Sequence, residues 1–185
     1  MKRILGIILT LAAVSSFADT SGFYVGGGLG YGSQQNNYMG QSNTDGTPAL
    51  RAQIGYQFAS WIDAELGWNY ITQGNNWNNL GNTSTTIYDF SFTPGFTLPA
   101  TPVTIFVRLG VDAVSANLNS SWYNQIISNS TANFLYGAGV KIDIPGTRTF
   151  IRAEYINYGA APNNNNNNLT TTPTALMINA AYVFD

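Results

Sequence analysis

The chain has no cysteine, no histidine and little charge: Asp, Glu, Lys and Arg make up 9% of its 185 residues. Soluble domains carry about 25%. Without cysteine there is no disulfide scaffold, thiolate metal site or cysteine nucleophile. Without histidine the commonest general base and metal ligand are gone, and most catalytic triads with them. Beyond the N-terminus no apolar run approaches ~20 residues, which excludes a helical membrane protein. Seven Lys and Arg against nine Asp and Glu give a net charge of −2, the wrong balance for a nucleic-acid partner. The abundant classes are hydrophobic residues at 44%, aromatics at 14%, and 19 glycines. Polarity is carried by Asn, Gln, Ser and Thr rather than by ions.

The first residues read as an export signal. Lys2 and Arg3 precede an apolar stretch from Ile4 to Val14, and Ser16 and Ala18 form a small-x-small cleavage pattern. Residues 1–18 are therefore expected to be a signal peptide, and 19–185 a single exported bacterial domain. No cysteine follows the apolar stretch, so lipoprotein processing is not expected.

After residue 20 the period is two, interrupted by Asn/Gly/Ser/Thr stretches, which predicts strands throughout. Eight segments alternate. Phe23, Val25, Leu29 and Tyr31 oppose Tyr24 and the glycines at 26, 28, 30 and 32. Leu50, Ala52, Ile54, Tyr56 and Phe58 oppose Arg51, Gln53 and Gln57; Ile62, Ala64, Leu66, Trp68 and Tyr70 oppose Asp63, Glu65 and Asn69. Similar rows centre on Tyr88–Leu98, Val103–Val111, Phe134–Ile142, Ile151–Tyr155 and Leu176–Phe184. Short connections fall near 59–60, 99–102 and 143–149, and long ones near 33–47, 71–86, 114–131 and 157–173. This rhythm predicts an all-β, eight-stranded antiparallel up-and-down barrel with all its short turns at one end, as in outer-membrane barrels.

A soluble barrel with an apolar interior is the competing fold. The charges separate the two. Nine lie within strands (Arg51, Asp63, Glu65, Asp89, Arg108, Asp112, Lys141, Arg152 and Glu154), all on the face opposite the large apolar residues. Large residues outside, with glycines and charges inside, suit a narrow barrel in lipid. Trp61, Trp68, Tyr70, Tyr155, Tyr182 and Phe184 lie near strand ends, where interfacial aromatics belong. A transmembrane barrel in the bacterial outer membrane is expected, with turns periplasmic and long loops extracellular.

Short motifs in order along the chain resemble the barrel of the outer-membrane protein A (OmpA) family. They are Phe23-Tyr24-Val25-Gly26, Ile62-Asp63-Ala64-Glu65-Leu66-Gly67-Trp68, Val107-Arg108-Leu109-Gly110, Gly137-Ala138-Gly139-Val140, Arg152-Ala153-Glu154-Tyr155 and Ala181-Tyr182-Val183-Phe184. The resemblance implies an interior ion pair between Glu65 and Arg152 that closes the lumen, and an assembly signal at Tyr182 and Phe184, here followed by Asp185. The chain departs from the family in three ways. Thr93-Pro94 stands where the resemblance implies a competing lumen lysine, Lys141 stands where it implies a glutamate, and the barrel is expected without the peptidoglycan-binding domain of full-length members.

The nine lumen charges must pair or be hydrated. They are candidates for a polar plug or for a small gated pore. Asp63 and Glu65 could do acid–base work in an open cleft, but a sealed lumen offers no substrate access. No catalytic residue, metal or cofactor is expected. Asp45 is the only carboxylate in the long loops, too little for a calcium site. Those loops include the run Asn163–Asn168, and Trp77, Trp122 and Tyr123 are their candidate contact residues. The expected role is structural or surface-interacting, adhesin-like, with a gated pore as the alternative. A membrane-embedded hydrolase is disfavoured, because small-barrel enzymes of that kind rely on histidine. Expected partners are outer-membrane lipids and lipopolysaccharide, the barrel-assembly machinery and a host or cell-surface ligand.

Overall fold

The computed structural model describes residues 21–38, 41–72, 82–119, 131–159, 161–162 and 170–184. Eight strands form the wall: β1 (Gly22–Tyr38), β2 (Gln41–Ala59), β3 (Ile62–Ile71), β4 (Asn82–Phe92), β5 (Val103–Asn119), β6 (Thr131–Asp143), β7 (Thr149–Asn157) and β8 (Thr170–Val183). Each pairs antiparallel with the next, and β1 pairs with β8 from Tyr24↔Val183 to Asn37↔Thr170. The sheet is a closed barrel, so no strand edge is left to face hydrocarbon.

Burial follows the period of two. Along β7 buried Phe150, Arg152, Glu154 and Ile156 alternate with exposed Ile151, Ala153 and Tyr155. Exposure of large apolar residues reaches 69% at Phe23, 67% at Leu29 and 65% at Ile178. A water-soluble domain does not present so continuous an apolar surface; a barrel in lipid does. Aromatic pairs line this outer face: Trp68 stacks on Tyr70, and Tyr182 meets Phe184 edge to face.

The turn end is tightly knit. A bulge between Gln57 and Ala59 lengthens β2, so the β2–β3 turn is Ser60–Trp61, one residue later than the alternation suggests. Pro94 cannot donate to the ladder and interrupts β4. Gly95–Thr97 then pairs with β5, and Gly95 N donates to the Trp61 carbonyl at 2.7 Å on the other side. Ala100 and Gly146 take positive φ in the β4–β5 and β6–β7 turns.

The other end differs from the expected long loops. Residues 33–47, expected as a connection, are largely strand: Ser33–Tyr38 pairs with Gln41–Gly46. β4 begins at Asn82, β5 runs to Asn119 and β8 begins at Thr170. Above the apolar band nothing outside the barrel selects hydrophobic residues, so the alternation fades while backbone pairing continues. A further two-residue segment, Ala161–Pro162, pairs with Thr170 and Thr171 of β8.

Candidate functional site

Inward-facing positions stack into layers. Counting from the turn end, β3 presents Asp63, Glu65, Asn69 and Ile71; β7 presents Phe150, Arg152, Glu154 and Ile156; β8 presents Val183, Ala181, Asn179 and Met177. All nine strand charges are buried inside the barrel.

Seven of the nine form one network centred on Glu65. Its Oε1 accepts from Arg51 Nη2 at 2.6 Å and Arg108 Nη1 at 2.8 Å. Its Oε2 accepts from Arg152 Nη1 at 2.9 Å and from the Tyr24 hydroxyl at 2.6 Å. Arg51 also grips Asp89 with both terminal nitrogens, each at 3.0 Å. Arg152 Nη2 donates to Asp63 at 3.0 Å and Arg108 Nε to Glu154 at 2.8 Å. Three guanidiniums thus face four carboxylates with none of their side-chain surface appreciably open to water. Ions held so far from solvent persist only when paired and hydrogen-bonded. Asn69 and Asn179 complete the shell, donating to Asp89 and Glu154 at 2.7 Å each.

The last two charges stand apart. Lys141 lies at the turn end, where Nζ donates to the Ser60 carbonyl at 2.7 Å and sits 3.8 Å from Asp143. Asp112 lies at the opposite end of the charged zone and accepts from the Gly159 backbone at 2.9 Å.

Apolar material closes the charged layer on both sides. Towards the turns, Tyr24, Phe150, Ala181 and Val183 cluster. The Arg152 guanidinium lies 4.9 Å from the Phe106 ring centroid and 5.1 Å from that of Phe150, an attraction strengthened by desolvation. Towards the long connections, Ile71, Ile87, Val114, Leu135, Ile156, Tyr158 and Met177 form a second layer with Ala49 and Ala175, and all seven of the larger side chains are fully buried. Tyr158 and Gly159, just beyond β7, turn inward over the lumen.

Tyr24, Tyr158, Asn69, Asn179, Phe106 and the second apolar layer are functional features that sequence reasoning did not single out. Period-two alternation already put Tyr24, Phe106 and Asn179 on the inner side; Tyr24 and Phe106 meet Glu65 and Arg152 two strands on, and Asn179 meets Glu154 on the adjoining strand. Every strand contributes at least one inward polar residue, Tyr24, Arg51, Glu65, Asp89, Arg108, Lys141, Arg152 and Asn179 among them in chain order. Thr93, at the place of the implied lysine, is buried at the turn end. Tyr182 and Phe184 face outward, and the end of β8 is stitched to its surroundings by Val183 N to Arg148 O at 2.8 Å and Phe184 N to Phe23 O at 2.6 Å. The loop candidates Trp77, Trp122 and Tyr123, the Asn163–Asn168 run, the leader 1–18 and Asp185 lie outside the described residues.

Among the described residues, each carboxylate of the network is engaged by a guanidinium or another hydrogen-bond donor. The closed barrel, apolar outside and ionic within, agrees with the comparison by sequence, where the description "outer membrane protein beta-barrel domain" matches residues 5–184. The chain belongs to this family. Its place is the bacterial outer membrane, and the OmpA-like motifs are those of the family barrel.

Comparison with curated proteins gives no match. Among solved structures the chain resembles Neisserial surface protein A, at 14% identity and TM-score 0.68, over 89% of this chain and 98% of that one. It resembles the outer membrane protein OprG from Pseudomonas aeruginosa at 12% identity and TM-score 0.58, over 90% and 97%. It also resembles Ail, the attachment invasion locus protein of Yersinia pestis, at 19% identity and TM-score 0.55, over 88% and 99%. At these identities the likeness is one of fold.

Proposed function

We propose that this barrel is a non-enzymatic structural and surface-interaction protein of the outer membrane, adhesin-like, whose lumen is closed and whose outer end does the recognising. The observation that carries this reading is the double closure of the lumen. A charged layer in which Glu65 binds three arginines is capped by a fully buried layer around Ile71, Ile87, Leu135 and Tyr158. Both would have to open before water or a solute could cross, and the buried carboxylates are already engaged by cations or hydrogen-bond donors. What is left for interaction is the exterior. In this reading residues 1–18 are the export signal, the short turns are periplasmic and the long connections extracellular, as barrels of this kind are built.

One structure of Ail holds the heparin analogue sucrose octasulfate. The present chain has no Lys or Arg in residues 33–49, 72–87, 114–132 or 157–174, and one acid, Asp45. A polyanion therefore has nothing to pair with there, and the ligand expected on this surface is uncharged.

Two measurements test the proposal. On intact cells, a membrane-impermeant thiol reagent should label Asn78→Cys in the second connection and leave Thr147→Cys in the β6–β7 turn unlabelled; the chain has no other cysteine. Replacing the four connections with short linkers should abolish attachment of expressing cells to surfaces, while wild type in planar bilayers remains silent. Steady single-channel steps from wild type would favour the gated pore instead, the reading suggested by the Glu65–Arg152 contact.

A further inference from the structure

Where β1 and β8 leave the apolar band, their outward rows change character abruptly. Tyr31 and Leu176, exposed by 58% and 59%, are the last large residues of those rows and are paired in register. The next outward pairs are Ser33 with Thr174 and Gln35 with Thr172. On the other flank Ser33 pairs with Gly46 of β2. A methyl group built at Gly46 would overlap the hydroxyl and ring carbons of Tyr31. The tyrosine ring therefore leans up from the edge of the apolar band and lies over the bare backbone of Gly46. The result is an aromatic plate laid on the outside of the wall over β2, with Ser33 and Gln35 of β1 and Thr174 and Thr172 of β8 to one side of it; Thr174 Oγ1 donates to the Ser33 carbonyl at 3.5 Å, and the neighbouring sequence holds one acid, Asp45, and no lysine or arginine.

We propose that Tyr31, Ser33, Gln35, Gly46, Thr172 and Thr174 form a docking surface for the uncharged sugar residues of an outer-leaflet glycolipid. A sugar ring presents a C–H face that packs on an aromatic ring and hydroxyl edges that exchange hydrogen bonds with amides and alcohols. The absence of cations means that the headgroup phosphates are not what is recognised. Height and direction argue for a partner in the membrane. The patch looks sideways, one residue pair above the last apolar row, where the first layer of sugars beside a barrel would stand. A molecule arriving from the medium would meet the end of the barrel instead. This inference rests on the outward orientation of the long connections proposed above, which the cysteine-labelling experiment decides separately.

The test uses the folded full chain with a fluorine-labelled tyrosine, placed in phospholipid nanodiscs. Lipopolysaccharide carrying its sugars, and lipid A alone, are each added to the bilayer; heparin and a soluble neutral oligosaccharide are added to the medium. The proposal expects the Tyr31 resonance to shift with the sugar-bearing lipopolysaccharide and with no other probe, to the same extent at low and high salt. Tyr31→Phe should retain binding. Gly46→Val, which displaces the ring, should weaken it about tenfold, or roughly 1.4 kcal/mol; Tyr31→Ala, followed by the amount of sugar-bearing lipopolysaccharide that copurifies with its nanodiscs, should do the same. Each variant is first checked for a heat-shifted band on a detergent gel, so that loss of fold is not read as loss of binding. A shift with lipid A alone or with heparin, a response that disappears with salt, or unchanged affinity in folded Gly46→Val would overturn the proposal. So would binding of the soluble oligosaccharide with no response to the bilayer glycolipid.

Discussion

Tyr158, just past the end of β7, faces Arg51 of β2 across the lumen, its hydroxyl 3.5 Å from Arg51 Nη1. The ring belongs to the apolar layer and the oxygen to the charged one, so a single side chain joins the two seals. Tyr158→Phe should cost at most about 1 kcal/mol, the worth of one hydrogen bond. Tyr158→Ala should cost about 3–5 kcal/mol by opening a cavity. Urea unfolding of the barrel in vesicles measures both. Equal losses would mean that the hydroxyl, not the ring, carries the contact.

Glu65 is the position on which the charge network most depends. Glu65→Ala leaves three buried guanidiniums short of a partner and should destabilise by about 3–5 kcal/mol. Glu65→Gln, which keeps the shape and one acceptor, should lose less. The temperature at which the folded band disappears from unboiled gels should fall in that order.

Gly67 faces inward, and a methyl there would overlap Arg51 Nη2 and Asp89 Oδ2. Gly67→Ala should push apart the Arg51–Asp89 pair and lower stability, although alanine is the smallest possible addition. Gly27→Ala, on the exposed face of β1, meets only the Arg51 backbone oxygen, at 3.3 Å, and should be close to neutral. Unfolding midpoints of the two variants side by side give the comparison.

Leu109 and Arg108 are neighbours pointing to opposite sides of the wall. An arginine at 109 would sit in hydrocarbon and should cost about 2–4 kcal/mol if near the bilayer midplane. The loss should be smaller in short-chain detergent than in vesicles. If the two media give the same loss, residue 109 does not face lipid.

The second apolar layer should govern leakage. Ile71→Ser with Ile87→Ser places hydroxyls in the fully buried ring, and together with Glu65→Ala it should turn a silent barrel into one with small conductance steps in planar bilayers. Silence from that triple variant would show that another element blocks the lumen.

Much of this architecture was legible because lipid imposes a strict rule. Each residue pointing at hydrocarbon must be apolar, so Leu66, Trp68, Ile105, Val107 and Ile178 mark the outer face, and Glu65, Arg108 and Arg152 the inner one. Where the rule lapses, legibility lapses too. Ser33–Tyr38 and Gln41–Thr47 have loop composition, yet they pair because β1 and β2 continue past the membrane. The interior apolar layer was hidden for a related reason. Ile71, Leu135, Ile156 and Met177 alternate correctly, but their union into one sealing ring depends on the barrel's curvature and strand stagger, which no local pattern encodes. Partner choice within the charged layer has the same origin: Arg152 reaches Asp63 and Glu65 only after four strands have curled around.

The contribution of inward polar groups from all eight strands has a consequence for assembly. While the sheet is still open, Arg152 of β7 cannot reach Asp63 and Glu65 of β3, whereas Tyr24 of β1 already lies across Gly55 from Glu65. An incomplete barrel in hydrocarbon therefore holds the Arg152 guanidinium short of its carboxylates on β3. The penalty is released only when β1 meets β8. The barrel's interior thus acts as its own proofreading device, making the almost-finished molecule the least comfortable state and the closed one the only resting place.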